Sequence, residues 1–344
     1  MKPPPGRNAP RSPRASILAA AGLLGLSCAS PLPPAEVSSA PPPEPAGEER
    51  VALRFSWPEG FTARVTGAES RTLSSDAAAD TTHSELSYRV RLESASEGAR
   101  IRYEEFSLPA PDAGGLVPLR GVPGLECLAD ALRPSFVVGA DGRFLGTPDL
   151  DETVAAVNRE LDAVHARGEA LPEGSPALPT RFSGDLFRRH APVEWWPMVE
   201  MWAGREIVLG GRYDLELLTR MPLLDGATLH MDGELVVSGR RPCEDGGPPR
   251  CIELVLETRP DPLELIPLLG EDGARSRDGG AAVPVIVTRL DLRETVRLVT
   301  EPETLVPRRL ETRQRARVTV RLPDGTLHTD ALDRESDLVF HPET

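Results

Sequence analysis

The chain has 344 residues, of which 40% are hydrophobic and only 4% aromatic, and its formal net charge is −14. The excess of acidic side chains argues against a nucleic-acid partner, because binding to phosphates depends on Lys and Arg. The length is sufficient for one large or two small domains with a hydrophobic core.

Residues 1–27 have the layout of a bacterial export signal. Basic residues precede an apolar run, Ile17–Leu26, which is shorter than the roughly 20 residues that span a bilayer. Because Cys28 follows this run, the segment resembles a lipoprotein signal, in which the cysteine becomes the lipidated first residue. Gly25 stands where that pattern prefers leucine, so ordinary cleavage after Ala29 is the alternative. Ala29 is not an inner-membrane-retention aspartate, so the resemblance to Gram-negative lipoproteins favours the outer membrane.

Residues 28–49 are rich in Pro, Ala, Ser and Glu, a composition that predicts a disordered tether. In polyproline II form, at about 3.1 Å per residue, it would reach on the order of 60 Å from a membrane. Without the signal, the chain keeps 35 basic and 53 acidic residues, about −18. That balance argues against a general basic surface for anionic lipid but does not address a local patch.

Residues 50–344 are predicted to form one β-rich domain, or two subdomains that meet near 169–185. Alternating apolar residues predict a first hairpin, with strands at 51–57 and 61–65. The polar stretch at 70–84 predicts a long loop or extended strand ends. Asp141-Gly142 predicts a tight hairpin between 136–138 and 143–145, because glycine tolerates positive φ.

Two helices are predicted. Asp149 and Glu152 match a capping box at the start of the first, and Gly168 ends it. Its apolar side chains share one helical face; they are Val154, Val157, Leu161 and Val164. The second helix is expected from about Glu194 to Ala203, with Pro197 near its start.

The rest of the chain predicts further strands in a meander, with one hairpin closing at Asp232-Gly233. Cys243 and Cys251 bracket a turn-forming segment, and in an exported protein this pair predicts a disulfide across a hairpin. Closing so small a loop should contribute about 2–3 kcal/mol. A pair of metal ligands is the alternative, but no other Cys or His lies nearby in sequence.

No segment has the layout of a known catalytic motif, and the six histidines do not pair at metal-ligand spacing. Cys127 is expected to be a buried structural thiol rather than a nucleophile. The sequence therefore predicts no catalytic residue, no metal site and no cofactor, although carboxylates brought together by folding would not be visible in it.

The aromatic segment from Trp195 to Trp202 is the one candidate binding surface. Trp195, Trp196, Met198 and Trp202 would line a cavity for an acyl chain or form the floor of a partner groove. The alternative is a helix buried against a sheet. Trp196 fits that alternative less well, because it leaves the face shared by Trp195 and Trp202.

These features predict an α+β fold, mostly antiparallel β, with a large curved sheet or half-barrel and a few short helices. In outline this resembles the LolA-type periplasmic lipoprotein carriers, and it is also similar to envelope lipoproteins of GC-rich Gram-negative bacteria. The expected function is a non-enzymatic, lipid-anchored envelope protein that binds an apolar ligand, a lipid or an envelope protein. A purely structural scaffold and a hydrolase with fold-assembled carboxylates are the alternatives.

Overall fold

The computed structural model describes residues 49–76, 78–109, 116–118, 135–167, 184, 194–221, 227–243, 246–266 and 286–343. The signal, Cys28, the tether before Glu49 and Cys127 lie outside these residues, as do Gly168, where the first helix is predicted to end, and the expected subdomain boundary near 169–185 apart from residue 184. No helix within the described ranges is long and apolar enough to cross a membrane.

Strands dominate the described residues. The strands are β1 Arg50–Ala52, β2 Thr62–Ser75, β3 Ala78–Ala95, β4 Gly98–Pro109, β5 Leu116–Pro118, β6 Phe136–Val138, β7 Phe144–Gly146, β8 Glu206–Val208, β9 Arg212–Met221, β10 Ala227–Val237, β11 Ile252–Pro260, β12 Ile286–Glu301, β13 Val306–Arg321 and β14 Leu327–Glu343. The helical elements are α1 Leu150–Arg167, a π-helix Trp196–Glu200 and a helical turn at 262–266.

Twelve strands form one antiparallel sheet, in the order β7-β6-β4-β3-β2-β14-β13-β12-β11-β10-β9, with β5 paired to β4. The strands at the two ends of this order do not pair with each other, so the sheet is open. β1 and β8 form a separate two-stranded sheet. The predicted fold class, mostly antiparallel β with a few short helices, is confirmed.

The sheet is curved, because its two ends contribute to one hydrophobic core. Ile101 and Phe136 come from β4 and β6, and Leu217 and Leu235 come from β9 and β10, yet all four belong to this main core. In a flat sheet of eleven strands, at about 4.8 Å per strand, the ends would lie on the order of 48 Å apart. The face that encloses the main core is called the inner face below.

The longest strands extend beyond the main core to a second apolar cluster. This cluster, on the inner face near the β13–β14 turn, consists of Leu229, Leu265, Leu292, Ala316, Val318, Val320 and Leu332. The polar stretch at 70–84 is not a loop but part of β2 and β3, which pair without a break from Thr62–Arg91 to Ser75–Ala78. The half of the sheet around the second cluster is called the distal half below.

The predicted first hairpin is wrong. β1 pairs with β8, and residues 53–58 cross the main core without joining a strand. Their backbone is held by the carbonyl groups of other segments: Leu53 donates to Arg205 at 2.8 Å and Ser56 to Thr304 at 3.1 Å. Leu53, Phe55 and Trp57 alternate because an extended chain also sends alternate side chains in opposite directions.

The predicted turn at Asp232-Gly233 is also wrong. β10 runs straight through it, since Gly233 pairs with Leu215 on one side and with Thr258 on the other. α1, in contrast, begins one residue after Asp149, as predicted. The Asp149 carboxylate accepts a hydrogen bond from Arg100 at 2.9 Å, which ties the start of α1 to β4.

Cys243 and Cys251 are joined by a disulfide at the open end of the β10–β11 pair, with their Cα atoms 5.2 Å apart. Replacing both with alanine is expected to lower the free energy of unfolding by about 2 kcal/mol, because the unfolded chain gains loop entropy. Urea denaturation measures this change. A reductant should destabilise the native protein by the same amount and leave the double variant unaffected; equal sensitivity of both would contradict the prediction.

Candidate functional site

The segment predicted to bind an apolar ligand is packed into the main core. Trp195 is completely buried, and its Nε1 donates to the carbonyl oxygen of Gly142 at 2.8 Å. Met198 and Trp202 are each only 1% exposed, and Trp196 is half-buried against the same core. In this conformation the segment offers little surface to a ligand, which favours the structural alternative.

The π-helix within this segment ends at Glu200, whose carboxyl group is partly buried. Burial raises the pKa of Glu200 from its ordinary 4.5 to about 7, opposed by a hydrogen bond from the backbone of Phe144 and by the charge of Arg143. Glu200 Oε2 is buried and accepts no hydrogen bond from the described residues. Such a group costs stability when it is ionised, and no motif around Glu200 predicts its burial.

The disulfide bears on the metal alternative for Cys243 and Cys251. Glu301 lies beside the two sulfur atoms, so three residues of metal-binding type meet here. Both sulfur atoms are used in the disulfide, however, and a metal requires thiolates. In this oxidised state the cluster does not offer the ligand pair that the spacing allows.

Six inner-face residues form a continuous row across the distal half of the sheet. Each is paired directly with the next on the neighbouring strand, in the order Thr258, Glu294, Gln314, Arg334, Arg71 and Thr82. Residues directly opposite each other on adjacent antiparallel strands share one face of the sheet. These six residues are called the polar row below.

The polar row separates two apolar regions of the inner face. On one side the next inner-face positions of β11 and β12, Leu256 and Val296, belong to the main core. On the other side Leu292, Ala316 and Leu332 belong to the second apolar cluster. Polar groups between two apolar regions lose hydration and need partners, so packing alone does not explain the row.

Two cations of the polar row face each other. Arg71 and Arg334 are directly opposite on β2 and β14, where Cβ atoms are about 4.5–5.5 Å apart and like charges destabilise. Glu69 accepts two hydrogen bonds from Arg334, at 2.9 and 3.1 Å. Among the described residues, no carboxylate forms an ion pair with Arg71. The carboxylate of Glu69 is thus engaged by Arg334 and not by Arg71.

Hydroxyl groups complete this end of the row. Thr82 is opposite Arg71, and Ser84 and Ser336 are opposite Glu69 on its two sides. The side chains of Arg334 and Glu69 are 33% and 27% exposed, so solvent reaches the site. Guanidinium and hydroxyl donors with an excess positive charge suit a carboxylate or phosphate group.

Glu294 makes the charge of the polar row sensitive to pH. Burial raises the pKa of Glu294 to about 7, and the nearby charge of Arg334 opposes the rise. Counting Arg71, Arg334, Glu69 and Glu294, the net charge is +1 when Glu294 is protonated and zero when it is ionised. An anionic ligand would therefore meet a more positive site below about pH 7.

Sequence reasoning missed the polar row because its charged residues resemble an ordinary solvent-facing pattern. The pattern that indicates the row is spacing along a strand, because residues an even number of positions apart share one face of the sheet. Gln314 lies an even number of residues from both Leu310 and Val318, so it shares their buried face. Likewise, Arg334 shares a face with Leu332 and Leu338, a position where arginine is unusual.

A second polar cluster at the distal end does not support hydrolysis. His328 Nδ1 lies 3.0 Å from Asp76 Oδ2, and His328 Nε2 lies 3.0 Å from Asp330 Oδ1. A histidine that activates a nucleophile needs one ring nitrogen facing that nucleophile. Both nitrogens of His328 face carboxylates instead.

An open depression of about 510 Å³ lies between the β3–β4 turn and the β6–β7 hairpin. Its cation, Arg100, is engaged with Asp149 at 2.9 Å, and its Glu93 lies 3.5 Å from Arg102. Arg100 and Glu93 are thus paired within the protein, whereas Arg71 of the polar row forms no ion pair among the described residues.

No protein-family model matches this chain, and neither does any curated protein. Among solved structures, the chain is similar to "TodX monoaromatic hydrocarbon channel deltaS2 mutant", with 8% sequence identity over 83% of this chain and 91% of that chain. The TM-score of that pair is 0.19, which is too low to support an argument about fold or function.

Proposed function

We propose that this chain is an exported, lipid-anchored envelope protein that acts as a non-enzymatic binding module for an anionic amphiphile. Cys28 would carry the anchor, and residues 28–49 would hold the domain away from the membrane. The observation that carries the proposed ligand class is Arg71, which forms no ion pair among the described residues and lies directly opposite a second cation, Arg334, on the inner face.

An anionic head group at this position would remove the repulsion between the two guanidinium groups. Arg71 and Arg334 would bind its oxygens, and the hydroxyl groups of Ser84 and Ser336 would supply further donors. Leu73 and Leu86 lie on the same face, half-buried, to either side along β2 and β3. They give the apolar part of such a ligand two nearby contacts.

Arg71→Gln tests the site, because it leaves no carboxylate among the described residues without its ion-pair partner. Arg64→Gln is its matched control. Arg64 carries the same charge on the same strand but lies on the opposite face and is exposed. With the lipidated cysteine changed to alanine, binding of short-chain phosphatidylglycerol is measured by native mass spectrometry and calorimetry. Arg71→Gln should weaken binding about tenfold, the value of one charge-assisted hydrogen bond, and Arg64→Gln should not.

The pH dependence gives the same experiment a second readout. Ionised Glu294 would repel an anionic head group. A unit charge about 10 Å from that head group, at an effective dielectric constant of about 40, contributes roughly 0.8 kcal/mol, or about a fourfold change in Kd. Phosphatidylglycerol should therefore bind about fourfold more tightly at pH 6 than at pH 8. Glu294→Gln should abolish that difference by holding the tighter affinity at pH 8. Equal weakening by Arg71→Gln and Arg64→Gln would overturn the proposed site.

A structural scaffold is the second candidate, and the burial of Trp195, Met198 and Trp202 favours it. A scaffold purified from the envelope would carry no bound amphiphile. It would bind phosphatidylglycerol no better than phosphatidylcholine of equal chain length, a zwitterion without net charge. The mass of the native protein distinguishes the two candidates directly.

A further inference from the structure

His328 lies between two carboxylates in the distal half of the sheet. Its Nδ1 is 3.0 Å from Asp76 Oδ2, in the turn after β2, and its Nε2 is 3.0 Å from Oδ1 of Asp330, two residues along β14. Residues two positions apart on a strand share one face. Both are paired with valines of the second apolar cluster, Val320 and Val318, so this face is the inner one.

The charges of these three side chains do not balance. A neutral imidazole has one N–H, so it can donate to only one of the two carboxylates, and its other nitrogen then faces an oxygen lone pair. A second proton on the ring gives each carboxylate a donor, but two carboxylates and one imidazolium still sum to −1. Among the described residues, no arginine forms an ion pair with Asp76 or Asp330.

The excess negative charge is on the buried side of the imidazole ring. The side chain of Asp330 is 0% exposed, and its Oδ2 accepts no hydrogen bond from the described residues. A buried carboxylate with one oxygen left unpaired costs stability. Asp76, in contrast, is 56% exposed and also accepts a hydrogen bond from the Thr329 N–H at 3.1 Å. Asp330 is therefore the group that a bound cation would stabilise most.

We propose that His328 and Asp330 bind a Zn²⁺ ion, through Nε2 of the histidine and the carboxylate oxygens of the aspartate. Two carboxylates, a neutral imidazole and Zn²⁺ sum to zero charge. Zinc accepts both ligand types, at about 2.0–2.2 Å, and the imidazole nitrogen selects it over Mg²⁺ and Ca²⁺, which prefer oxygen. Because the inference needs no amphiphile, it stands apart from the proposed function.

Two further groups suit this site. A metal-binding histidine usually donates its other ring N–H to a carboxylate, which fixes the tautomer and the orientation of the ring. Asp76 is placed to accept from Nδ1 of His328 in this way. Ser75 is paired with Asp330 on β2, so its hydroxyl oxygen lies on the same face and can contact the metal or a water bound to it. A bound ion would fasten the turn after β2 to β14.

Zinc titration of the mature chain with Cys28→Ala tests the two ligands. After removal of metal by a chelator, isothermal titration calorimetry should show a site that His328→Gln or Asp330→Asn weakens about tenfold or more. His230→Gln is the matched control, because His230 Nδ1 also contacts a carboxylate, Glu264 Oε1 at 2.6 Å, but its side chain is 65% exposed. That variant should retain the native affinity. Equal zinc binding by all these proteins would overturn the proposal.

Asp76→Asn tests the site without changing a buried group. Asparagine can still accept the hydrogen bond from Thr329 but has no charge to orient the imidazole, so zinc affinity should fall about tenfold. Asp80→Asn is its control, because it removes the same charge from an exposed position on β3. That change should alter the Kd by less than about twofold. Equal weakening by the two variants would overturn the proposed role of Asp76.

The ring nitrogens of His328 distinguish a bound metal from a second proton. In NMR spectra of the ¹⁵N-histidine-labelled protein, the signals of His328 are assigned by their loss in His328→Gln. With excess Zn²⁺ they should show a proton on Nδ1 and none on Nε2. Protons on both nitrogens under these conditions would overturn the proposal and identify the group as an imidazolium between two carboxylates.

Discussion

Replacing Trp195 with alanine is expected to lower the free energy of unfolding by about 4 kcal/mol, in the range for tryptophan truncation in a packed core. The buried indole makes edge-to-face contacts with Phe55, Trp57 and Phe136, at centroid distances of 5.4, 5.2 and 5.6 Å. Truncation removes these contacts and also the hydrogen bond to Gly142. Urea denaturation followed by circular dichroism measures the change.

Trp196→Ala is the matched control, because it makes the same truncation one residue later at a half-buried position. We expect a loss of about 1–2 kcal/mol there, in proportion to the smaller buried area. The opposite result would support the prediction that the segment from Trp195 to Trp202 binds an apolar ligand. If Trp195→Ala left stability unchanged and removed ligand binding, the aromatic segment rather than the polar row would be the binding surface.

Local signals in the sequence were sufficient for the elements whose geometry is local. α1 begins one residue after Asp149, with Asp151 and Glu152 in its first turn, where acidic side chains complement the helix dipole. The β6–β7 hairpin forms around Asp141-Gly142, where Gly142 has a φ of 82° that glycine adopts without strain. In both cases the residues that decide the structure lie within a few positions of one another.

Long-range partners decided the elements that sequence reasoning placed wrongly. β1 alternates like the strand of a hairpin, yet its partner, β8, lies more than 150 residues away in sequence. Asp232-Gly233 has turn composition, but strands on both sides supply hydrogen bonds that hold it extended. Local preference is overridden when pairing on both edges is available.

The polar row could not be located from sequence for the same reason. Its members come from β2, β3, β11, β12, β13 and β14, and only the register of six strands brings them into line. A charged residue on a strand is normally exposed, so Arg334 and Glu294 alone gave no signal. Their significance rests on sharing a face with apolar neighbours, which depends on knowing which face is inner.

Glu200→Gln is expected to raise the free energy of unfolding by about 2.5 kcal/mol at pH 8 and to change it little at pH 4. A rise in pKa from 4.5 to about 7 corresponds to at most about 3.4 kcal/mol. Because the side chain is only partly buried, solvent screening reduces that figure. Glutamine can still accept the hydrogen bond from Phe144 and carries no charge to desolvate.

The pH profile identifies the cause of this gain. The folded-state pKa of Glu200 lies above the unfolded value, so the unfolded chain loses its proton first. The contribution of Glu200 to stability is therefore greatest below about pH 4.5, falls as pH rises to about 7, and is constant above that. The difference in unfolding free energy between Glu200→Gln and the native protein should grow over the same interval.

Glu97→Gln is the control for this profile, because Glu97 is exposed and makes the same change of charge. Its difference from the native protein should stay within about 0.5 kcal/mol at both pH values. If Glu200→Gln gave a constant gain from pH 4 to pH 8, the effect would come from packing rather than from ionisation. If it lowered stability at pH 8, the ionised carboxylate would have a partner, and the buried Oε2 could not be the source of the raised pKa.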